Sequence, residues 1–267
     1  MFFKDKIVWI TGASSGIGKA TALELVRQGA KVILSSRNLN KLEEVKILSD
    51  HPENVQLLQI DLADYTNLDK LVQQAIFIFG AESQIDILIN NGGISQRSLA
   101  IDTGITVDTH IFNTNYFGTV ALTKALLPYF VARKKGHIVV VTSVVGKIGT
   151  PLRSSYAASK HALHGFFDSL RAEVHKDNIA VTLICPGFVN TDISRNALTG
   201  DGSTQNKMDK GTANGFSPDY FAKRMLKAIA RKKQEAVIGG RLEVLAVYVK
   251  RFFPKILAKM IRKLDVT

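Results

Sequence analysis

A phenol and an ammonium group lie four residues apart in this chain, at Tyr156 and Lys160. On an α-helix, side chains at that spacing share one face and come close together. A phenol with an ordinary pKa of about 10 is a poor base near neutral pH. A cation about 4 Å away lowers that pKa by up to roughly three units, before desolvation opposes the effect. We therefore predict that Lys160 prepares Tyr156 to exchange a proton with a substrate oxygen.

A second feature with chemical meaning is the glycine-rich run Thr11-Gly12-Ala13-Ser14-Ser15-Gly16-Ile17-Gly18. Glycines permit a tight turn, and backbone N–H groups at the start of a helix bind the negative charge of a pyrophosphate. The run follows an apolar, β-branched segment and leads into helical sequence. We therefore interpret it as a dinucleotide-binding loop rather than an ordinary turn.

The segment after the second apolar run is Leu34-Ser35-Ser36-Arg37-Asn38, which contains no acidic residue. Enzymes that use NAD place an Asp or Glu here to bind the ribose 2′-hydroxyl group. The guanidinium of Arg37 can instead hold a 2′-phosphate through a charge-assisted, two-pronged contact. The sequence therefore predicts NADP(H) as the cofactor, with an exposed surface arginine as the alternative interpretation.

The positive charge of the chain is concentrated near one end. The 267 residues carry a net charge of +12, and positions 223–263 contain 13 Lys or Arg against two Glu. The rest of the chain is almost neutral, which argues against a nucleic-acid-binding body and draws attention to the tail as a membrane-surface candidate. In the tail, Pro254 should interrupt a helix, and basic residues should oppose an apolar face. That face comprises Ile256, Leu257, Met260, Ile261 and Leu264. Packing against the protein is the alternative.

The cysteine and histidine content argues against a metal site. Cys185 is the only cysteine, so neither an intrachain disulfide nor a thiolate zinc cluster can form. We predict that it is a buried structural residue in a reducing compartment. His161 and His164 lack a third ligand in motif spacing, and we assign both to ordinary surface or interface roles. Because we find no signal peptide and no apolar run long enough to span a bilayer, we predict a cytoplasmic protein.

Short β-branched runs alternate with longer helical segments along the chain. The runs predict strands at 7–11, 32–35, 55–61, 85–90, 137–143, 179–185 and 236–238. Helices are predicted at 18–28, 39–48, 65–79, 107–133, 155–175 and 218–232. This alternation predicts one α/β domain with a doubly wound, mostly parallel seven-stranded sheet and helices on both faces, a Rossmann arrangement. The polar segment 190–214 should be a mobile loop that contacts substrate.

Several further motifs follow in a specific order. They are Asn90-Asn91-Gly92-Gly93, Asn115, Ser143 placed 13 residues before Tyr156, Pro186-Gly187, and Thr191. Together with the glycine-rich run, they resemble the short-chain dehydrogenase/reductase family over residues 5–240. The family often has alanine where this chain has Gly92. The sequence from Ile94 to Leu99 is similar to the branch that contains dehydrogenase/reductase member 7, which is related to steroid and retinoid reductases.

The resemblance implies a reaction and a set of roles. It implies oxidoreduction between an alcohol and a ketone or aldehyde, with the cofactor carrying the hydride. Tyr156 would be the acid or base, Lys160 would also bind the nicotinamide ribose, Ser143 would bind the substrate oxygen, and Asn115 would hold a water. Asp61 and Leu62 would contact the adenine ring, with a helix cap as the alternative for Asp61.

The predicted sites and bounds are as follows. The cofactor residues are Gly12, Ser14, Ser15, Gly16, Ile17, Gly18, Arg37, Asn38, Asp61, Leu62, Asn90, Gly92, Tyr156, Lys160, Pro186, Gly187, Val189 and Thr191. The substrate residues are Ser95, Ser143, Val145, Ile148, Tyr156, Phe188 and Ile193, whose apolar members favour a hydrophobic substrate. The catalytic domain spans 1–240 with a substrate loop at about 188–215, and 241–267 form a basic amphipathic extension.

The sequence also leaves alternative functions open and predicts an assembly. A dehydratase, epimerase or enoyl reductase, a nucleotide-sensing binding protein and a membrane-associated scaffold are the alternatives to carbonyl reduction. The two long helices carry apolar residues around much of their circumference, which predicts a homodimer or tetramer that pairs them with their copies. These residues are Phe112, Tyr116, Val120, Leu127, Phe130, Leu163, Phe166, Phe167 and Leu170.

Overall fold

The computed structural model describes residues 2–262, and within that range seven parallel strands form one sheet. The strands are β1 (Ile7–Thr11), β2 (Lys31–Ser35), β3 (Val55–Leu57), β4 (Ile85–Asn90), β5 (Gly136–Val141), β6 (Ile179–Pro186) and β7 (Glu235–Ile238). Their order across the sheet is β3-β2-β1-β4-β5-β6-β7, so the chain reverses its direction of travel between β1 and β4. The predicted fold class is confirmed.

Helices cover both faces of this sheet and create two hydrophobic cores. They are α1 (Gly16–Arg27), α2 (Leu39–Ile47), α3 (Leu68–Phe77), α4 (Ile105–Phe112), α5 (Gly118–Arg133), α6 (Ser154–Glu173), α7 (Lys210–Ala213), α8 (Pro218–Ala230), α9 (Arg241–Phe252) and α10 (Pro254–Ile261). Helices α1, α2 and α8 pack on one face, whereas α3, α5 and α6 pack on the other. Because both faces are covered, the strands are apolar throughout rather than alternating.

The buried residues of β1 show how neighbouring strands are held together inside the sheet. All five of its residues are buried, and Trp9 has no exposed surface. A buried indole N–H needs an acceptor, and Trp9 donates to the hydroxyl of Ser35 on β2 at 2.8 Å. The apolar run thus positions its carboxyl end, where the glycine-rich loop begins.

Two element boundaries differ from the sequence prediction in an informative way. Strand β3 ends at Leu57, whereas the sequence predicted a strand to Asp61. It is the edge strand of the sheet, and only its residues 55–57 pair in register with β2. The helix predicted over 107–133 is instead α4 and α5, separated by a π-helical turn at Asn113–Phe117. Such wider turns often occur at functional sites, and this one contains Asn115.

The 190–214 loop is tied to the rest of the chain by backbone bridges, and its mobility stays a prediction. Leu198 forms bridges with both Gln96 and Thr204, and Val189 pairs with Phe216 at the base of the loop. The loop is therefore joined to the segment that follows β4.

The tail forms a helix pair, with Pro254 at the first position of α10 as predicted. Leu257 is buried against Val144 and Ile148, whereas Ile256 and Met260 are exposed, so the predicted single apolar face is divided. Leu264 lies outside the described residues. Within the part of the chain that the structure describes, no helix is both long enough and apolar enough to cross a membrane.

The apolar circumference of the long helices has a partly intramolecular explanation. Four of the residues that suggested a dimer interface belong to the core of the single chain: Phe130, Leu163, Phe167 and Leu170. A half-exposed aromatic cluster remains on α4, the π-helical turn and α6. It consists of Phe112, Tyr116, Phe117 and Phe166, linked by edge-to-face contacts centred on Tyr116. Three of its members, Phe112, Tyr116 and Phe166, belong to the predicted interface.

Candidate active site

The site begins where β1 and β4 end side by side. The Thr11 hydroxyl accepts hydrogen bonds from the backbone N–H groups of Asn91 and Gly92, at 3.1 and 3.0 Å. The Asn91 amide donates to the carbonyls of Thr11 and Gly12. These bonds fix the loops that follow the two strands against each other. Ligands of open α/β sheets bind at such reversal points.

The glycine-rich loop has the geometry that a pyrophosphate requires. Gly12 and Gly16 adopt φ values of +63° and +53°, in the left-handed region that favours glycine. A Cβ atom on Gly18 would lie only 2.1 Å from the Gly12 carbonyl oxygen, so glycine is needed for the loop to pack on α1. Helix α1 has no acidic residue in its first turn and no side-chain cap at Ser15. Its N-terminus can therefore receive an anion.

The adjoining wall fits the adenosine part of a dinucleotide. Arg37 is exposed after β2 and lines the cleft together with Ser36, Asn38 and Lys41. The Asn38 side chain accepts the backbone N–H of Lys41 and so caps α2. Asp61 lines the same wall, where its carboxylate accepts the Ala63 N–H, a bond typical of a local turn. Ser36 and Lys41 were not identified from the sequence, because neither belongs to a recognisable motif.

These walls belong to one cleft with a volume of about 1170 Å³. It brings together most of the predicted cofactor and substrate residues: Gly12, Ser14, Ser15, Gly16, Ile17, Arg37, Asn38, Asp61, Leu62, Gly92, Ser95, Ser143, Val145, Ile148, Tyr156, Lys160, Pro186, Gly187, Phe188, Val189, Thr191 and Ile193. The predicted residues Gly18, Asn90 and Asn115 do not line it. Gly18 is buried behind the loop. The cleft is long enough to join the phosphate-binding turn to Tyr156.

Asn90 corrects one prediction. Its side chain is buried and donates to Thr123 on α5, at 3.0 Å, instead of reaching the cleft. The neighbouring Asn91 lines the cleft in its place. Side chains alternate along a strand, so the last residue of β4 faces the helices while the next faces the loops. Gly92 is also explained, since a Cβ there would meet the Leu62 side chain at 2.6 Å.

Asn115 is a brace rather than a wall of the cleft. Its side-chain oxygen accepts the Ile94 N–H at 2.8 Å, and its nitrogen donates to the Ile94 carbonyl and to Ser159. Both amide hydrogens are thus used within the protein. Asn115 ties the segment after β4 to α6, and its contact with a water stays a prediction.

Ser143, Tyr156 and Lys160 meet at the centre of the cleft. Ser143 follows β5, and its hydroxyl accepts the Val145 N–H, while Tyr156 lies in the first turn of α6. The Lys160 ammonium is buried, donates to the Val141 carbonyl at 2.9 Å and lies 6.0 Å from the centre of the Tyr156 ring.

The electrostatics of Tyr156 involve more groups than the sequence identified. Burial raises the pKa of Tyr156 above its ordinary value. A hydrogen bond with Ser143 and the charges of Arg97 and Arg153 act in the opposite direction. Burial likewise lowers the pKa of Lys160 to about 8. Two arginines to which the sequence assigned no role therefore favour the phenolate, and the effect of Lys160 on Tyr156 stays a prediction.

Gln96 supplies the missing cap of the catalytic helix. Arg153, the residue before α6, makes no capping bond with its side chain. The side-chain oxygen Oε1 of Gln96 instead accepts the N–H groups of Ser155 and Tyr156, at 2.9 and 3.4 Å. The Ser155 hydroxyl also donates to Asp108 on α4. The first turn of α6, and with it Tyr156, is thereby held by the segment after β4.

A buried cluster of two arginines and one aspartate completes this wall. Arg97 and Arg153 line the cleft, and both donate to one carboxylate oxygen of Asp209. Burial alone would raise the pKa of Asp209, but the hydrogen bonds and charge of Arg97 outweigh it and hold that pKa below its usual value. No local motif reveals this pairing, because Asp209 lies 112 positions from Arg97 in the sequence.

His164 also departs from its predicted surface or interface role. It is buried on α6, near the buried thiol of Cys185 and the carboxylate of Glu235, with the three potential ligand atoms within 4.8 Å of one another. Lys147 already pairs with Glu235 at 2.5 Å, and burial raises the pKa of Cys185 to about 12. The ion pair engages the carboxylate and the raised pKa disfavours a thiolate, so both effects disfavour a metal site here. Cys185 is buried, as predicted.

Comparison with known proteins shows which family this chain resembles in sequence. The family model described as short chain dehydrogenase matches residues 6–201. A dehydrogenase/reductase SDR family protein 7-like of Anopheles gambiae is 47% identical over 266 residues, covering 97% of this chain and 82% of the relative. Dehydrogenase/reductase SDR family member 7B of Xenopus tropicalis is 40% identical over 262 residues, covering 96% and 84%.

Solved structures share the fold at lower sequence identity. A short chain dehydrogenase/reductase from Burkholderia phymatum in complex with NAD has a TM-score of 0.81 at 20% identity, covering 96% of both chains. A short chain dehydrogenase from Burkholderia cenocepacia in complex with NADP has a TM-score of 0.80 at 22% identity, covering 98% and 99%. Family model, relatives and fold lead to one conclusion: the chain belongs to the short-chain dehydrogenase/reductase family, in the branch of member 7.

Proposed function

We propose that this protein is an NADP(H)-dependent oxidoreductase that interconverts an alcohol and a ketone or aldehyde. The observation that carries the proposal is the single cleft that joins the phosphate-binding loop to Ser143, Tyr156 and Lys160. Family membership supports oxidoreduction, and the structural neighbours bind NAD in one case and NADP in another. When bound, the nicotinamide supplies the hydride chemistry.

The protein's part in the reaction is proton transfer and orientation. In alcohol oxidation, the Tyr156 phenolate accepts the proton of the substrate hydroxyl, and in carbonyl reduction the phenol returns it. Ser143 hydrogen-bonds the same oxygen and so orients it toward Tyr156. Lys160 is anchored on the Val141 carbonyl, and in the proposed reaction its remaining N–H groups bind the nicotinamide ribose. Gln96 and Asn115 keep these groups in register.

The preference for NADP(H) rests on the wall after β2. Arg37 and Lys41 line it and offer two positive charges to a 2′-phosphate, with Ser36 beside them. Asp61, the acidic residue on this wall, lies after β3, and its carboxylate is engaged in a local turn. A 2′-hydroxyl therefore finds no acid at the end of β2, where NAD enzymes place one.

The substrate class that we propose is a hydrophobic carbonyl compound or alcohol, such as a lipid, steroid, retinoid or aromatic ketone. Val145, Ile148, Phe188 and Ile193 line the cleft near the proton-transferring group. Small ketones and sugars are the competing class. The direction of the reaction in the cell follows from the cofactor ratio.

A cofactor-and-substrate panel tests the proposal. Purified protein should consume NADPH with at least some hydrophobic carbonyls, with higher kcat/KM than with NADH, and one alcohol should form per NADPH lost. A dehydratase or epimerase would change substrate without net loss of NADPH, and an enoyl reductase would reduce only conjugated alkenes. A nucleotide sensor would bind NADPH without turnover, and this result across the panel would overturn the proposal.

We further propose that the aromatic cluster forms the interface of a homodimer, and that two such dimers can form a tetramer. Phe117 is 46% exposed there, and its neighbours are partly buried already. A two-fold axis needs only one such self-complementary patch. Phe117→Asp should lower the mass measured by light scattering, whereas Ile47→Asp, on exposed α2, should not. A monomeric, fully active wild-type protein would contradict the proposal.

Contact with a membrane surface is a further proposal for the helix pair α9–α10. Leu242 and Phe252 are 81% and 68% exposed, and the pair carries six basic residues against one acidic residue within positions 241–262. Apolar side chains among cations suit anionic lipid. Phe252→Ser with Phe253→Ser should abolish flotation with phosphatidylserine vesicles, whereas Ile101→Ser, at a 90% exposed position, should not. Wild-type protein that does not float with such vesicles would contradict the proposal, and α9–α10 would then serve only to pack against the protein.

A cytoplasmic location is also proposed rather than established. It rests on the one cysteine of the chain, which is free and buried, a state suited to a reducing compartment. The same argument allows a peripheral association with the outer face of an organelle. Fractionation of cells that express the protein distinguishes a dissolved protein from a membrane-bound one.

A further inference from the structure

The cluster Arg97–Asp209–Arg153 joins three parts of the chain at the proton-transfer site. Arg97 follows β4, Arg153 immediately precedes α6, and Asp209 immediately precedes α7 at the end of the 190–214 loop. Next to the cluster, the backbone of Ser98 donates to Leu152, and Ser98 bridges Arg153. The segment after β4 therefore runs beside the start of the helix that carries Tyr156.

The bonding within the cluster is short and shared. Asp209 accepts from Nε and Nη2 of Arg97 at 2.8 and 2.5 Å, and from Nη2 of Arg153 at 3.0 Å. Its second oxygen accepts from Gln205 in the loop, at 3.2 Å. Arg97 also donates to the Ser95 hydroxyl and to the Gln96 carbonyl. The loop, the segment after β4 and the catalytic helix are thus tied through one carboxylate.

The charges in the cluster do not cancel. The side chains of Arg97, Arg153 and Asp209 are 5%, 4% and 1% exposed, and they comprise two cations and one anion. Buried ionic groups contribute little net stability, since apolar residues of similar volume often serve as well. These residues lie at the cleft, on the turn that leads to Tyr156. Their role is therefore to be sought in the reaction rather than in the stability of the fold.

We propose that the Arg97–Asp209–Arg153 cluster is a positioning and electrostatic device for Tyr156: its net positive charge favours the phenolate, and Asp209 orients both guanidiniums while docking the 190–214 loop. The inference rests on the proposed function, because it assumes that Tyr156 exchanges the proton. Arg97, Arg153 and Asp209 are positioning residues here, since they act on the reaction through Tyr156.

Other charged groups lie around Tyr156 besides the arginines. On its own helix, Lys160 donates to the Val141 carbonyl and lies 6.0 Å from the centre of the Tyr156 ring. From α4, Asp108 bonds Ser155 and His110 lines the cleft; from α9, Arg241 and Glu243 also line it. Arg97 and Arg153 act to lower the pKa of Tyr156, against the effect of burial.

The test is the pH dependence of alcohol oxidation, in which activity requires the phenolate and falls as pH drops below the pKa of Tyr156. Arg97→Gln and Arg153→Gln each remove one cation. The acid limb of the profile of kcat/KM against pH, where activity rises with pH, should therefore move to higher pH. For a unit charge at about 10 Å and an effective dielectric constant of ~20, the shift is about one pH unit. Asp209→Asn removes the anion and should move the limb to lower pH by a similar amount.

A charge-compensated variant separates this role from simple packing. Arg97→Gln combined with Asp209→Asn again leaves one net positive charge, so its limb should return toward the wild-type position although two ionic bonds are lost. Arg97→Lys keeps the charge and should keep the limb in place. Limited proteolysis within 190–214 supplies a readout besides activity, and every variant that breaks the bonds of Asp209 should be cleaved faster.

The outcomes separate the inference from the proposed function. If the variants lose rate and are cleaved faster while the limb stays fixed, the cluster only holds the loop and the inference is wrong. A limb that follows the net charge supports it, including in the double variant. Failure of the proposed function itself would instead appear as normal turnover in Tyr156→Phe, measured alongside.

Discussion

The two ends of the cleft are built in different ways. At the nucleotide end, formed by residues 11–18, 36–41 and 61–62, the contacts that shape the loops are local: Gly12 and Gly18 meet within one turn, and Asn38 caps its own helix. The long-range bonds of this end join Thr11 and Gly12 to the Asn91-Gly92 motif that the sequence also revealed. At the substrate end, formed by residues 94–98, 143–160 and 188–216, the key contacts join residues 56 and 112 positions apart, as in Arg153–Asp209 and Arg97–Asp209.

This difference follows from what each end binds. A pyrophosphate is held by backbone N–H groups and a helix end, so a short motif with fixed glycines is sufficient. A proton-transferring phenol needs a defined electrostatic environment, which side chains from several segments must supply. The nucleotide end should therefore control affinity for the cofactor, and the substrate end should control turnover.

Removing the phenolic hydroxyl gives the largest expected effect and separates the two ends. Tyr156→Phe keeps the ring but removes the transferable proton, so kcat should fall by at least about 10²-fold. The dissociation constant for NADPH, measured by fluorescence titration, should stay within about twofold of wild type because the nucleotide end is untouched. Near-normal turnover would remove Tyr156 from its assigned role.

Reversing the charge after β2 should change cofactor choice without changing chemistry. A hydrogen bond to a charged group is worth about 1.5–3 kcal/mol, so Arg37→Asp should lower kcat/KM with NADPH by about tenfold to a hundredfold. With NADH, kcat/KM should rise or remain the same. Arg27→Asp, on the exposed last turn of α1 away from the cleft, is the matched control. Wild-type enzyme that prefers NADH would contradict the reading of Arg37.

A glycine pair tests whether the nucleotide end depends on backbone approach. Gly18→Ala would place a Cβ 2.1 Å from the Gly12 carbonyl, so we expect a loss of about 1–3 kcal/mol in unfolding free energy and roughly tenfold weaker NADPH binding. Gly165→Ala on α6 meets nothing within 4 Å and should stabilise by about 0.5–1 kcal/mol. Denaturant titration checks both values. Equal behaviour of the two variants would show that the loop tolerates a side chain.

The smallest effect concerns acid and involves His137, at the amino end of β5 and outside the cleft lining. Burial lowers the pKa of His137 on β5 to about 4, below its ordinary 6.5, so the unfolded state binds the proton first. Stability is then complete above pH 6.5 and declines as pH falls toward 4, by about 1.4 kcal/mol per such group at about pH 5.5. His137→Gln should flatten this slope in urea titrations. An unchanged slope would assign the acid sensitivity to other groups, such as His164, whose pKa burial also lowers to about 4.

The sequence predicted the parts of the molecule that local patterns determine. The bounds of β1 and β4 were correct to the residue, and the order of motifs identified the cleft and most of its lining. Asn90 was misplaced by one position because a strand end has two faces and a motif does not state which one is used. The π-helical turn at Asn113–Phe117 was hidden because the apolar spacing continues through it.

The substrate end was less accessible to the same reasoning. Arg97 lies in segment 94–99, which carried the resemblance to the branch, but no pattern in the sequence indicated its partner. Arg153 lies in no motif, and their shared partner Asp209 lies in a loop that composition alone describes as mobile. Phe167 looked like an interface residue because helical spacing cannot distinguish a neighbouring helix from a second subunit. Such pairings depend on the folded chain.

The direct test of the central claim follows one atom from cofactor to product. NADPH carrying deuterium at the reactive face of nicotinamide C4 is supplied with a carbonyl substrate from the panel, and the alcohol is analysed by mass spectrometry. The account predicts one deuterium on the carbinol carbon with wild-type enzyme and at least about 10²-fold less labelled product with Tyr156→Phe in the same time. Alcohol formed without label from either face, or labelled equally fast by Tyr156→Phe, would contradict it.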